Sequence, residues 1–134
     1  MPNIYGERTQ IGMVFYNLIN NGIKFNKSKT PVVTIKYHEN SPAGFWQFSV
    51  TDNGIGMEEK YQHQIFEIFR RLHNKQDYEG TGIGLSVCQK IINRHGGTIW
   101  LESAPNEGTT FYFTIKQEIK HKQLKKEDFL VNIE

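Results

Sequence analysis

The sequence predicts an α+β two-layer sandwich: a mixed, mainly antiparallel sheet of about five strands with about three helices on one face. Three observations predict it. The periodicities run helix, strand pair, helical and loop segment, helix, strand pair. Each strand pair is joined by a short run of turn residues, as in hairpins. The 134 residues suit one domain, long enough to bury about two-thirds of its unfolded surface in a core.

The first helix runs from Glu7 to Phe25. Ile11, Val14, Leu18, Gly22 and Phe25 recur at helical spacing, and Phe15 and Ile19 widen that stripe. "NKSKTP" (26–31) breaks it. "VVTIKYH" (32–38) and "FWQFSVTD" (45–52) read as strands joined by "ENSPAG". In the second strand Trp46, Phe48 and Val50 share a face. "YQHQIFEIFRRL" (61–72) reads as a short amphipathic helix, and "HNKQDYEGTG" (73–82) as a polar, mobile loop. "GLSVCQKIINRHGG" (84–97) is a helix with Leu85, Cys88 and Ile92 on one face and a glycine stop. "TIWLES" (98–103) and "TTFYFTIK" (109–116) form a hairpin through "APNEG". Residues 1–116 therefore make the domain. Residues 117–134 read as a charged tail or linker of little apolar periodicity.

The bulk composition narrows the function classes. A net charge of +2 gives no reason to expect a nucleic-acid partner. The single cysteine, Cys88, excludes an internal disulfide and fits a reducing, cytoplasmic compartment. No apolar run approaches the roughly 20 residues that a membrane-spanning helix needs.

Three features could carry chemistry. The first is "VTDNGIGM" (50–57). Strand alternation turns Asp52 to the face of Val50 and Phe48. On a core face its carboxylate needs a donor, from the protein or from a ligand. Gly54 and Gly56 allow a sharp turn and a close approach of backbone to ligand. Taken alone, the stretch is equally an Asp-Asn-Gly turn. The second feature is "EGTGIGLS" (79–86), where Gly80, Gly82 and Gly84 lead into a helix. Free N–H groups and the helix dipole at such an entry favour phosphate. A hinge is the alternative. No GxxxxGK[ST] occurs, and no βαβ unit surrounds the glycines. The third feature is the trio Asn17, Asn21 and Lys24, which share a helix face beside the apolar stripe. An amide oxygen is a hard ligand suited to Mg²⁺, and a lysine meets phosphate as a point charge. Singly, each is equally a solvated polar residue. Together the three features make a nucleotide site.

These motifs, in this order, resemble the ATP-binding catalytic domain of sensor histidine kinases, which has the Bergerat ATP-binding fold. The wider superfamily includes gyrase, chaperone and mismatch-repair ATPases and the anti-sigma-factor kinases. "NLINNGIKF" looks like the N box, "DNGIGM" like the first glycine motif and "IFEIFRRL" like the F box. "GTGIGLSVCQKIINRHGG" looks like the second glycine motif, and "NEGTTFYFTI" like the last glycine and strand. The resemblance covers roughly residues 4–116.

It implies that Asp52 accepts from the exocyclic amine of adenine, with Gly54 and Gly56 beside the base. Adenine itself would then satisfy the carboxylate. Asn21 would hold Mg²⁺, with Asn17 and Lys24 near the phosphates. Phe66 and Phe69 would anchor a mobile lid over about residues 57–81. Gly80, Thr81, Gly82 and Gly84 would form the phosphate-side turn, and Leu85 would start the helix. Thr109 or Thr110 would support the adenine contact. Guanine presents a carbonyl oxygen where adenine presents N–H, so a carboxylate there should reject GTP, by roughly 10⁴-fold or more at the limit.

The resemblance also implies partners. A kinase of this kind phosphorylates a histidine on a separate helical dimerisation domain, and a response regulator lies further on. None of His38, His63, His73, His95 and His121 has the setting of such an acceptor, a histidine followed by an acid on a helical dimerisation domain. The isolated domain is expected to be a monomer that binds ATP without phosphorylating itself. Two departures bear on this. Gly22 stands where the family usually has Ala. Asn17 stands where the hydrolysing relatives have a Glu as general base, and an amide cannot take a proton from water. The rival readings are an ATPase of the gyrase type, a serine kinase of the anti-sigma type and a non-catalytic docking module.

Overall fold

The computed structural model describes residues 3–5, 8–65, 81–117 and 130–132. In chain order the elements are β1 (Asn3–Tyr5), α1 (Arg8–Lys24), β2 (Val33–His38), β3 (Phe45–Asp52) and α2 (Glu59–Gln62). They continue with α3 (Thr81–Arg94), β4 (Ile99–Ser103), β5 (Thr109–Lys116) and β6 (Leu130–Asn132).

The central sheet has the order β2-β3-β5-β4, and each neighbouring pair is antiparallel. The α+β class is as expected. The main sheet holds four strands rather than about five, with no parallel pair among the described residues. The remaining two strands, β1 and β6, pair antiparallel in a small sheet of their own. Leu130–Asn132 thus form a strand inside the stretch read as tail.

The core lies between this sheet and the helix pair α1 and α3. From α1 come Ile11, Val14 and Leu18, and from α3 come Leu85, Cys88, Ile91 and Ile92. From the sheet come Phe48, Val50, Phe111, Phe113 and Ile115. Phe15 closes the layer, meeting Phe48 and Phe113 edge-on at 5.9 and 5.2 Å. Burying a side chain of this size contributes roughly 1.5–3 kcal/mol. The two hairpins are as predicted, since β2 pairs with β3 and β4 with β5.

The glycine stop of α3 is also present. Gly96 adopts φ +75°, which a Cβ would strain. Its N–H donates to Asn93 O at 3.1 Å, and Gly97 N–H donates to Ile92 O at 3.0 Å. This pair of bonds is a Schellman motif and satisfies carbonyls the helix leaves open. The helix begins earlier than the expected 84–97, at Thr81 rather than Gly84. None of the described helices is long and apolar enough to cross a membrane.

Candidate functional site

Asp52 is the last residue of β3, opposite Val33 on one side and Thr109 on the other. The preceding inward residues, Phe48 and Val50, are buried, so alternation carries Asp52 to the helix side of the sheet. Its carboxylate is half-buried and partly satisfied by the protein. Oδ1 accepts from Gly54 N at 2.8 Å and from Thr109 N at 3.2 Å. This corrects the expectation that adenine alone would satisfy the group. Among the described residues, no hydrogen bond ends on Oδ2. Burial pushes the pKa of Asp52 up, and the two N–H donors pull it part of the way back.

Gly22 on α1 faces this side chain. A Cβ built there would stand 2.9 Å from Asp52 Cβ and 3.3 Å from Oδ2. The missing side chain lets the helix lie against the strand end.

The space at the two glycines of the turn is filled by the protein rather than cleared for a base. A Cβ on Gly54 would meet Phe25 O at 2.5 Å. A Cβ on Gly56 would collide with Ala104 O, and Gly56 adopts φ +70°. The loop is pinned from both sides, since Ile55 N donates to Phe25 O at 3.0 Å and Asn106 N donates to Ile55 O at 2.7 Å.

The register separates the two threonines. Thr109 pairs with Asp52 and is buried, and its Oγ1 lies 2.8 Å from Ser103 Oγ. Thr110 pairs with Thr51 and bonds its hydroxyl at 3.0 Å, so its side chain belongs to the opposite face of the sheet. Of the two, only Thr109 shares a face with the carboxylate.

Asn17 and Gly84 come together across the α1–α3 contact. A Cβ on Gly84 would be 3.7 Å from Asn17 Cγ and Oδ1, an ordinary contact. The Cys88 thiol donates to Val14 O at 3.9 Å. Burial pushes that thiol up to about 11, against an opposing pull from the Asn17 side chain. One turn along α1, Asn21 Nδ2 is buried with no hydrogen-bond partner among the described residues. A buried amide left open is costly unless something completes it. The amide can turn either of its polar atoms to that position. It therefore fits a phosphate oxygen, a water or, through its oxygen, a hard metal ion. Lys24 stands in the last turn of the same helix.

Gly82 and Gly84 lie inside the first turn of α3 rather than ahead of it, and Thr81 opens the helix. Leu85 is a core residue at 2% exposure, not the helix start. Phe66, Phe69 and Gly80 lie outside the described residues.

Sequence reading missed three residues that build the site. Ser103 accepts from Met57 N at 2.9 Å and bonds Thr109, tying the end of β4 to the loop after β3. Asn26 donates to Gly22 O at 3.1 Å and to Asn53 Oδ1 at 2.7 Å. Asn53 lies within the quoted motif, yet only its turn propensity was legible there.

Comparison with known proteins decides the family. The family model of the histidine kinase-, DNA gyrase B- and HSP90-like ATPases matches residues 6–119. The chain belongs to this family. It is 50% identical over 115 residues to the phytochrome-like protein Cph1 of Synechocystis, covering 86% of this chain and 15% of that protein. It is 39% identical over 115 residues to the adaptive-response sensory kinase SasA of Microcystis aeruginosa, covering 86% and 29%. Among solved structures, the nucleotide-free catalytic domain of histidine kinase ThkA superposes with a TM-score of 0.69 at 32% identity, covering 85% of this chain and 70% of that one. The mycobacterial sensor histidine kinase MprB, at 23% identity and TM-score 0.70 over 84% and 74%, shares the fold. The chain spans between 15% and 30% of the length of the curated relatives it matches. It is a histidine-kinase-type ATP-binding domain.

Proposed function

We propose that the chain binds Mg-ATP and donates its γ-phosphoryl group to a histidine on a separate dimerisation domain. A response regulator would receive the group afterwards, in the cytoplasm. The observation that carries this reading is the carboxylate of Asp52, held by two backbone N–H groups on Oδ1 and with no hydrogen bond on Oδ2 among the described residues. An acceptor so fixed suits the exocyclic N–H of adenine. The carbonyl of guanine would set two acceptors face to face, a mismatch of large cost.

The phosphates would lie along Asn17, Asn21, Lys24 and the first turn of α3 at Gly82 and Gly84. Asn21 would hold Mg²⁺ through its amide oxygen, a hard ligand suited to that ion. When bound, the ion neutralises phosphate charge in the transfer. Lys24 adds positive charge near the same oxygens. Thr109 fixes Asp52 through its N–H, and Thr109 in turn is held by Ser103. Phe66 and Phe69 would anchor the lid, with Gly80 and Thr81 at its far end. In the transfer the bond from the γ-phosphorus to its bridging oxygen breaks, a bond to the acceptor imidazole nitrogen forms, and ADP leaves. Asn17 offers no base for water, which favours transfer over hydrolysis.

The test mixes the chain with a helical fragment bearing a histidine followed by an acid, and with ATP labelled at the γ-phosphate. Label on the fragment's histidine, with none on the chain alone, is the expected result. Free phosphate lost on Asn17→Ala would favour an ATPase. Bound ATP without transfer would favour a docking module.

A further inference from the structure

We propose that Asn53 and Asn26 act as positioning residues for the carboxylate of Asp52, a role that rests on the adenine reading above. The two amides close a ring of contacts around it. Asp52 stands against Gly22, where a Cβ would be 2.9 Å from Asp52 Cβ. The carbonyl of Gly22 accepts from Asn26 Nδ2 at 3.1 Å, and the same nitrogen donates to Asn53 Oδ1 at 2.7 Å. Asn53 follows Asp52 directly in the chain, which completes the ring.

Asn53 does more than join the ring. Its Oδ1 also accepts from Val32 N at 2.9 Å, and its Nδ2 donates to Thr30 O at 3.1 Å. Its main-chain N donates to Val32 O at 3.3 Å. Asn26 Oδ1 accepts from Ser28 N at 2.9 Å. One exposed side chain therefore staples the loop after α1 to the end of β3. The loop carries no regular structure between Phe25 and Val33, so without the staple the helix end and the strand end are joined by fewer bonds. The same helix end carries Asn21 and Lys24. The staple thus sets the spacing between the adenine end and the phosphate end of the site.

The test is calorimetric titration of the full chain with Mg-ATP and Mg-GTP, on wild type, Asp52→Ala, Asn53→Ala, Asn53→Asp, Asn26→Ala and the double alanine variant. Circular dichroism at the titration temperature checks that each is folded. Each single alanine variant is expected to bind ATP about tenfold more weakly, the scale of one or two lost hydrogen bonds. Asn53→Asp keeps the acceptor for Val32 and Asn26 but sets an oxygen against Thr30 O, so it should recover only part of the affinity. The double variant should be no weaker than the weaker single, because the pair shares one network. A lower melting temperature with unchanged ATP affinity would overturn the positioning role, as would singles that simply add. Asp52→Ala keeps the two failures apart. Should it bind ATP as wild type does, the adenine reading itself is wrong and the positioning role falls with it. Should it lose ATP while Asn53→Ala and Asn26→Ala do not, the positioning role alone is wrong.

Discussion

Gly22 of the first helix and Asp52 at the end of β3 are in direct contact, with no room for a Cβ between them. An alanine methyl would stand 2.9 Å from Asp52 Cβ and 3.0 Å from Val33 Cγ2. The relationship explains a residue that looks unfavourable in a helix, where Gly costs about 1 kcal/mol relative to Ala. A larger side chain must push the helix from the sheet or turn the carboxylate. Gly22→Val should destabilise the fold by about 1–3 kcal/mol and weaken ATP binding. Urea denaturation and ATP titration check both effects.

The raised pKa of Asp52 gives a pH dependence. Its folded-state pKa lies above its unfolded value because of burial. The contribution to stability is then fully present below the unfolded pKa and is lost as pH rises through the folded one. At neutral pH the buried charge therefore costs stability. Asp52→Asn keeps an oxygen for Gly54 and Thr109 and removes that charge. Its melting temperature at pH 7 should equal or exceed that of wild type, and the difference should shrink on acidification. ATP affinity of wild type should begin to fall at a pH above the ordinary aspartate range, as the acceptor is protonated. Thermal melts and titrations across an acidic pH series read both.

The two adjacent threonines should behave differently. Thr109 bonds Ser103 on the site face at 2.8 Å, and Thr110 bonds Thr51 on the other face at 3.0 Å. Thr109→Val should cost about 1–2 kcal/mol of stability through the lost buried hydrogen bond. Thr110→Val should stay within about 0.5 kcal/mol, because its half-exposed hydroxyl can be replaced by water on Thr51. Denaturation midpoints of the two variants make the comparison.

Cys88 should be inert in the folded chain. It is fully buried, and its thiol is pushed up to about 11. Thiolate is the reactive form. At pH 8 an aromatic disulfide reagent should label it only at the rate at which the structure opens, and full labelling should follow denaturation. Prompt labelling of the native chain would contradict the packing of α1 on α3.

Much of this fold is legible in periodicity. The 17 residues of α1 lie within the stretch 7–25, and β3 and β5 have the predicted bounds. Strong stripes such as Ile11, Val14 and Leu18 are fixed by burial, which a sequence displays directly. The start of α3 is less legible, because the glycines at 82 and 84 lower helix propensity while the turn is still helical. The choice between Thr109 and Thr110 needs the pairing of Asp52 with Thr109, a contact between distant segments. Gly54 and Gly56 were open to a ligand reading because their real neighbours, Phe25 and Ala104, come from other loops. Asn53 and Asn26 are joined across 27 positions, and nothing local marks either as a site residue.

On the proposed reading, the half-buried carboxylate of Asp52 selects adenine. Titration of wild type and Asp52→Asn with Mg-ATP and Mg-GTP is the decisive measurement. Wild type should bind ATP far more tightly than GTP, and the substitution should weaken ATP and collapse the ratio between the two. Equal affinity of wild type for both nucleotides, or a ratio unchanged by Asp52→Asn, would contradict it.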